Sequence, residues 1–185
     1  MYMITNHPRV YVDAGKWYFW HEDSVSHEGP FETDWQASHA AYAYDLARET
    51  DKGRKMLEST FGAELVPGAL NSIAEMCRAL NDQWWRDPDT LSPLPSRNRG
   101  ELIALMHSEL SEALEGMRKN RDDEHLPHRK SEEVELADAL IRIFDYAGGH
   151  GLDLGGALVE KCRYNLARAD HKPENRKTGG DGKRF

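Results

Sequence analysis

The chain has 185 residues, of which 24 are Lys or Arg and 32 are Asp or Glu, a formal net charge of −8, with 39% hydrophobic and 30% charged residues. That length suits one domain of ~100–150 residues plus an appendage, and the acidic balance excludes a chain that coats nucleic acid through one global basic field. Cys77 and Cys162 are too few for a disulfide framework and fit a reducing cytoplasm; no signal peptide is expected, and no run of ~18 apolar residues is present to span a membrane.

Residues 1–55 hold most of the aromatics and read as a small ββα module. Arg9 to Val12 and Lys16 to His21 favour strand through their aromatic and β-branched content. Asp13-Ala14-Gly15 joins them as a turn, and His27-Glu28-Gly29-Pro30 reads as a second turn. Thr33, with Gln36 three residues on, has the spacing of a capping box. The helix it starts should run from about Asp34 to Arg48, with Trp35, His39, Tyr42 and Leu46 on one face. Asp51-Lys52-Gly53 reads as linker.

Residues 65–170 carry helical periodicity. Pro67 suits a first helical position, and Leu70, Ile73, Ala74, Cys77, Leu80 and Trp84 follow on one stripe until Asp87-Pro88. Asn98 and Glu101 start a second helix with Leu102, Leu105, Met106, Leu110, Ala113, Leu114 and Met117 inward. Arg118 to Lys130 is a charged loop. Ser131 is the expected cap of a third helix, with a stripe of Val134, Ala137, Leu140, Ile141 and Phe144, stopped by Gly148-Gly149. Asp153 caps a fourth, with Leu154, Ala157, Leu158, Cys162 and Leu166 inward. The expected fold is mainly α, a four-helix bundle behind the small α+β module. The apolar faces are wide for one small bundle, so a homodimer or larger homo-oligomer is expected. Residues 171–185 form a polar tail, five bases against two acids, expected to be flexible.

Two carboxylate pairs sit at the edge of these stripes. Glu109 and Glu112 are on the second bundle helix, and Glu135 and Asp138 on the third. An i, i+3 spacing places both members of a pair on one helix face. Either pair alone is common on solvated faces. On neighbouring helices the four would converge, and anions crowded in a partly dry space must protonate or bind cations. Clustered carboxylate oxygens select Mg²⁺, with Mn²⁺ as a substitute. Residues 101–145 hold twelve acids against six bases, a local net charge of −6. Glu115 falls away from Glu109 around the helix and reads as a surface charge. No Glu has a His three residues later, which excludes the di-iron carboxylate pattern. His125 and His128 flank Pro127 in a charged loop and read as a solvated turn. There is no Walker-type phosphate loop and no G-x-S-x-G elbow.

The ordered set Glu109-Leu-Ser-Glu112 and Glu135-Leu-Ala-Asp138 resembles the E-x-x-E…E-x-x-D signature of the MazG-like, all-α nucleoside triphosphate pyrophosphohydrolases. Lys161, Asn165 and Arg168 are in register with that family's K-x-x-x-N-x-x-R/K element, and the tail is similar to the basic, Gly-containing endings of phage and bacterial members. The resemblance covers about residues 67–185. It implies a bacterial or phage-infected host cytoplasm, and a Mg²⁺-dependent hydrolysis of (d)NTP to (d)NMP and pyrophosphate. Glu109, Glu112, Glu135 and Asp138 would be the metal ligands and catalytic groups. Lys161, Asn165, Arg168, Lys172 and Arg176 would contact the phosphates or sugar, with Asn81 and Trp85 at the base. Trp84 continues the apolar stripe, so Trp85 is the expected stacking residue. Where the family often carries an aromatic residue, four after Asp138, this chain has Arg142. The competing reading is a non-catalytic helical adaptor of phage type, whose ββα module binds a partner protein. Nucleic acid and membrane are not expected as partners.

Overall fold

The computed structural model describes residues 7–168, and the chain divides into two compact units after Ser59. The first unit carries a three-stranded antiparallel sheet in the order β1 (Val10–Asp13), β2 (Lys16–Trp20), β3 (His27–Phe31), followed by helix α1 (Asp34–Glu58). Tyr11 pairs with Tyr18 and Val10 with Phe19, which fixes the register of the first hairpin. Alternation along β2 then sends Phe19 to one face and Tyr18 and Trp20 to the other. Phe19 is completely buried, beside Phe31 and the Tyr44 ring of α1. On the opposite face Tyr11 stacks on both Tyr18 and Trp20, and His27 meets all three edge-on.

Three expectations for this unit are corrected. His27-Glu28-Gly29-Pro30 is strand, because β2 supplies a pairing edge that outweighs its low strand propensity. Helix α1 continues through Asp51-Lys52-Gly53 and past residue 55, helped by ion pairs Lys52–Glu49 and Lys55–Asp51 one turn apart. Its buried face is Ala37, Ser38 and Ala41, whereas Trp35, Tyr42 and Leu46 are exposed. Small side chains let the helix axis come close to Phe19. The capping box stands as expected: Thr33 Oγ1 accepts from Gln36 N, and the Gln36 side chain accepts from Thr33 N.

The second unit is helical. A π-helical turn, Phe61–Leu65, leads into α2 (Val66–Leu80), so Pro67 occupies the second helical position rather than the first. A 3₁₀ turn, Asp82–Trp85, follows where the α-helix was expected to run on. Next come α3 (Arg99–Lys119), α4 (Ser131–Gly149) and α5 (Leu154–Ala167). Asn98 and Asp153 cap α3 and α5 through their side chains. Lys130, not Ser131, is the cap residue of α4. α3 packs on α4, and α2 packs on both α4 and α5. The contacts depend on small residues: a Cβ on Gly116 would lie 2.7 Å from Ser131 Oγ, one on Gly148 2.6 Å from the Ala74 carbonyl oxygen, and one on Gly155 would collide with that of Pro67. Among the described residues, no helix is long and apolar enough to cross a membrane.

Candidate metal centre

α3 and α4 run antiparallel. Gly116, near the end of α3, meets Ser131 at the start of α4, and Glu109, two turns earlier, reaches Arg142, three turns later. This register brings the two carboxylate pairs to the same level. One oxygen from each of Glu109, Glu135 and Asp138 lies within 4.8 Å of the others. Glu109 is buried, and the other two are half-buried. Glu112 stands outside this trio and is exposed, yet its charge reaches Glu135. Burial pushes the Glu135 carboxyl above its usual range, and the charges of Glu112, Glu109 and Asp138 push it further. Asp138 is raised by burial and then by Glu109, with Arg142 opposing. The group is thus electrostatically under-compensated.

One counter-charge is built in. Arg142 donates to Glu109 Oε1 through Nε at 2.5 Å, and its Nη2 lies 2.5 Å from the same oxygen. Four residues after Asp138, Arg142 lies on the same face of α4. The carboxylates are hard donors, at least three in number, and short of positive charge, so the set fits a Mg²⁺ or Mn²⁺ ion completed by water or phosphate oxygens. Glu115 is tied to Lys119 and Arg118 on the surface, as expected.

Beside the trio lies a cavity of about 430 Å³, lined by Asn81, Trp84, Arg97, Leu102, Leu105, Asp138, Ile141, Arg142 and Asp145. Asp138 and Arg142 therefore belong to both. Asn81 lines this cavity. The tryptophans are exchanged relative to expectation. Trp84 is 62% exposed and lines the cavity, whereas Trp85 turns inward and donates Nε1–H to Asp145 Oδ1 at 2.9 Å. The Trp85 ring is also held by the guanidinium groups of Arg78 and Arg97 at 4.7 and 5.4 Å from its centroid. The 3₁₀ turn is the cause: it advances ~120° per residue, against ~100° in an α-helix.

On α5, Lys161 Nζ lies 4.6 Å from the centroid of the Tyr164 ring and the Arg168 guanidinium 5.7 Å. Asn165 Oδ1 is buried without a hydrogen-bond partner among the described residues. Lys172 and Arg176 lie outside the described residues. His125 and His128 are exposed in the 120–130 loop, which Asp123 organises by accepting from the His125 and Leu126 amides. Sequence reasoning missed Arg97, Arg142 and Asp145 as parts of the site. A signal existed for Arg142 and Asp145, since both follow Asp138 at helical spacing on a face that otherwise reads as apolar.

Comparison with family models, curated proteins and solved structures finds no match for this chain. What stands is a mainly helical protein with a small N-terminal sheet and an acidic group able to hold a divalent cation.

Proposed function

We propose that the protein is a Mg²⁺-dependent nucleoside triphosphate pyrophosphohydrolase of the MazG-like type. The observation that carries this reading is the meeting of Glu109, Glu135 and Asp138 from two helices beside a cavity large enough for a nucleoside. Glu109, Glu135 and Asp138 would hold the metal, with Glu112 as a fourth carboxylate at the rim. When bound, Mg²⁺ supplies charge neutralisation on the triphosphate and polarises its phosphoryl oxygens. In the reaction, a water oxygen forms a bond to the α-phosphorus as the bond to the α–β bridging oxygen breaks. Pyrophosphate leaves and the nucleoside monophosphate remains. The water proton goes to a carboxylate of the group that the metal does not engage. Lys161, Asn165 and Arg168, with Lys172 and Arg176 of the tail, are proposed phosphate contacts, Arg as a fork and Lys as a point charge. Trp84, in place of Trp85, is the proposed stacking surface for the base, beside Asn81.

A homodimer is part of the proposal. Ile103, Leu110, Leu114 and Met117 follow one another on α3 at spacings of seven, four and three residues, and all are exposed in the single chain. A second copy is the simplest cover for such a face.

The test is pyrophosphate release from a panel of NTPs and dNTPs with Mg²⁺, beside Glu112→Gln and Asp138→Asn. Release that requires metal and collapses in Asp138→Asn is expected. Equal rates in the variants would refute the ligand assignment, and no release from any triphosphate would favour the non-catalytic adaptor.

A further inference from the structure

The cavity beside the acidic group has an end that phosphate chemistry does not use. Leu102, Leu105 and Ile141 make its apolar walls, with Trp84 and Asn81 on one side and Asp145 in the wall. Asp145 is only 8% exposed. A carboxylate buried to that degree is normally paired or fully hydrogen-bonded. Here Oδ1 accepts one hydrogen bond, from Trp85, and Oδ2 accepts none among the described residues. No Arg or Lys nitrogen forms an ion pair with it among those residues. The nearby cations are engaged elsewhere: Arg142 with Glu109, Arg78 with Asp82, and Arg97 over the Trp85 ring. The Asn81 amide likewise makes no side-chain hydrogen bond among the described residues. Pinning Trp85 needs one oxygen, and an Asn would supply it without a buried charge. The second oxygen is therefore unexplained by packing.

The geometry points to Asp145 as the residue that reads the base: we infer that its Oδ2 accepts an N–H from an exocyclic amine, so the cavity takes amino-bearing bases over their oxo counterparts. This rests on the nucleotide reading above. A carboxylate offers acceptors only, and an exocyclic amine offers donors only. The carbonyl that replaces the amine of cytosine in uracil, or that of adenine in hypoxanthine, would set acceptor against acceptor at Oδ2. The ring itself is held by apolar walls and the Trp84 indole, which every base satisfies. Burial raises the Asp145 carboxyl above its ordinary range, and the Trp85 hydrogen bond and the Arg78, Arg97 and Arg142 charges oppose this in favour of the ionised, accepting form.

The experiment compares matched pairs on the full chain: ATP against ITP and CTP against UTP, as kcat/KM for pyrophosphate release with Mg²⁺. Calorimetric binding of AMP against IMP and CMP against UMP, without metal, accompanies it. The expected result is a preference for the amino member of roughly 10- to 100-fold, the range for one buried hydrogen bond to a charged group. In Asp145→Asn that preference falls below about threefold, because the amide can turn a donor to a carbonyl. Equal use of both members by the unaltered chain overturns the inference, as does a preference for the oxo base or one that survives in Asp145→Asn. The wild-type pairs decide the matter even where the variant fails to fold. Turnover without an amino preference overturns this inference alone, while no turnover and no monophosphate binding overturns the nucleotide reading and takes the inference with it.

Discussion

Replacing Arg142 by Met removes the counter-charge inside the acidic group and keeps the aliphatic stem. The Glu109 side chain is 8% exposed and that of Arg142 41%. Removing one partner of a fully buried pair costs ~3–5 kcal/mol. Arg142 is partly solvated, so screening lowers the expected loss to about 1–3 kcal/mol. In a chain of this size about 1 kcal/mol moves Tm by roughly 2–4 °C, so a fall of ~2–12 °C is expected without divalent metal. Mg²⁺ should reverse this loss. In the natural chain the guanidinium and a cation compete for Glu109 Oε1, whereas in Arg142→Met only the cation can compensate the trio. A ligand that binds the folded state stabilises it by RT ln(1 + [L]/Kd). The Mg²⁺-induced rise in urea midpoint is therefore larger in the variant than in the natural chain. An unchanged Tm without metal, or an equal Mg²⁺ increment in both proteins, would refute the reasoning.

Other perturbations test the fold around the site. Gly148→Ala places a Cβ 2.6 Å from the Ala74 carbonyl oxygen, where α4 crosses α2. Backbone must shift, and a loss of ~1–3 kcal/mol by urea unfolding is expected. Thr33→Ala removes half of the capping box and should cost about 1 kcal/mol in the first unit, read by far-ultraviolet dichroism on heating. Burial raises the Asp145 carboxyl despite its bond from Trp85 and the opposing Arg78, Arg97 and Arg142 charges. For an acid raised on folding, the cost of its charged form is absent below the ordinary carboxylate range. That cost is fully present once pH exceeds the folded value. Asn at 145 never bears this cost, so the stability of Asp145→Asn relative to the natural chain should rise from pH 3 toward pH 7; a flat difference would contradict the assigned direction.

Much of this arrangement is legible in residue spacing. Thr33 with Gln36, Asn98 and Asp153 announce helix starts because a short polar side chain followed by helical periodicity has one common use. The i, i+3 carboxylates declare a shared face before any partner helix is known. What spacing does not carry is which side of an amphipathic face reaches the interior. Ala37 and Ala41 are buried while Trp35 and Tyr42 are exposed, since close approach to the sheet favours small residues over large ones. β3 is illegible for another reason: His27-Glu28-Gly29-Pro30 becomes strand only through β2. The exchange of Trp84 and Trp85 turns on a single 3₁₀ turn, below the resolution of a periodicity argument. Asp145 takes its meaning only from its burial next to Trp85.

The central claim is that carboxylates from α3 and α4 together hold a divalent cation. Titration of Mn²⁺ into the full chain by calorimetry, repeated with Glu135→Gln and Asp138→Asn and with folding checked by dichroism, tests it most directly. The account predicts a saturable binding heat in the natural chain that each single substitution abolishes or weakens at least tenfold. The same heat in all three proteins, or none in the natural chain, would contradict it.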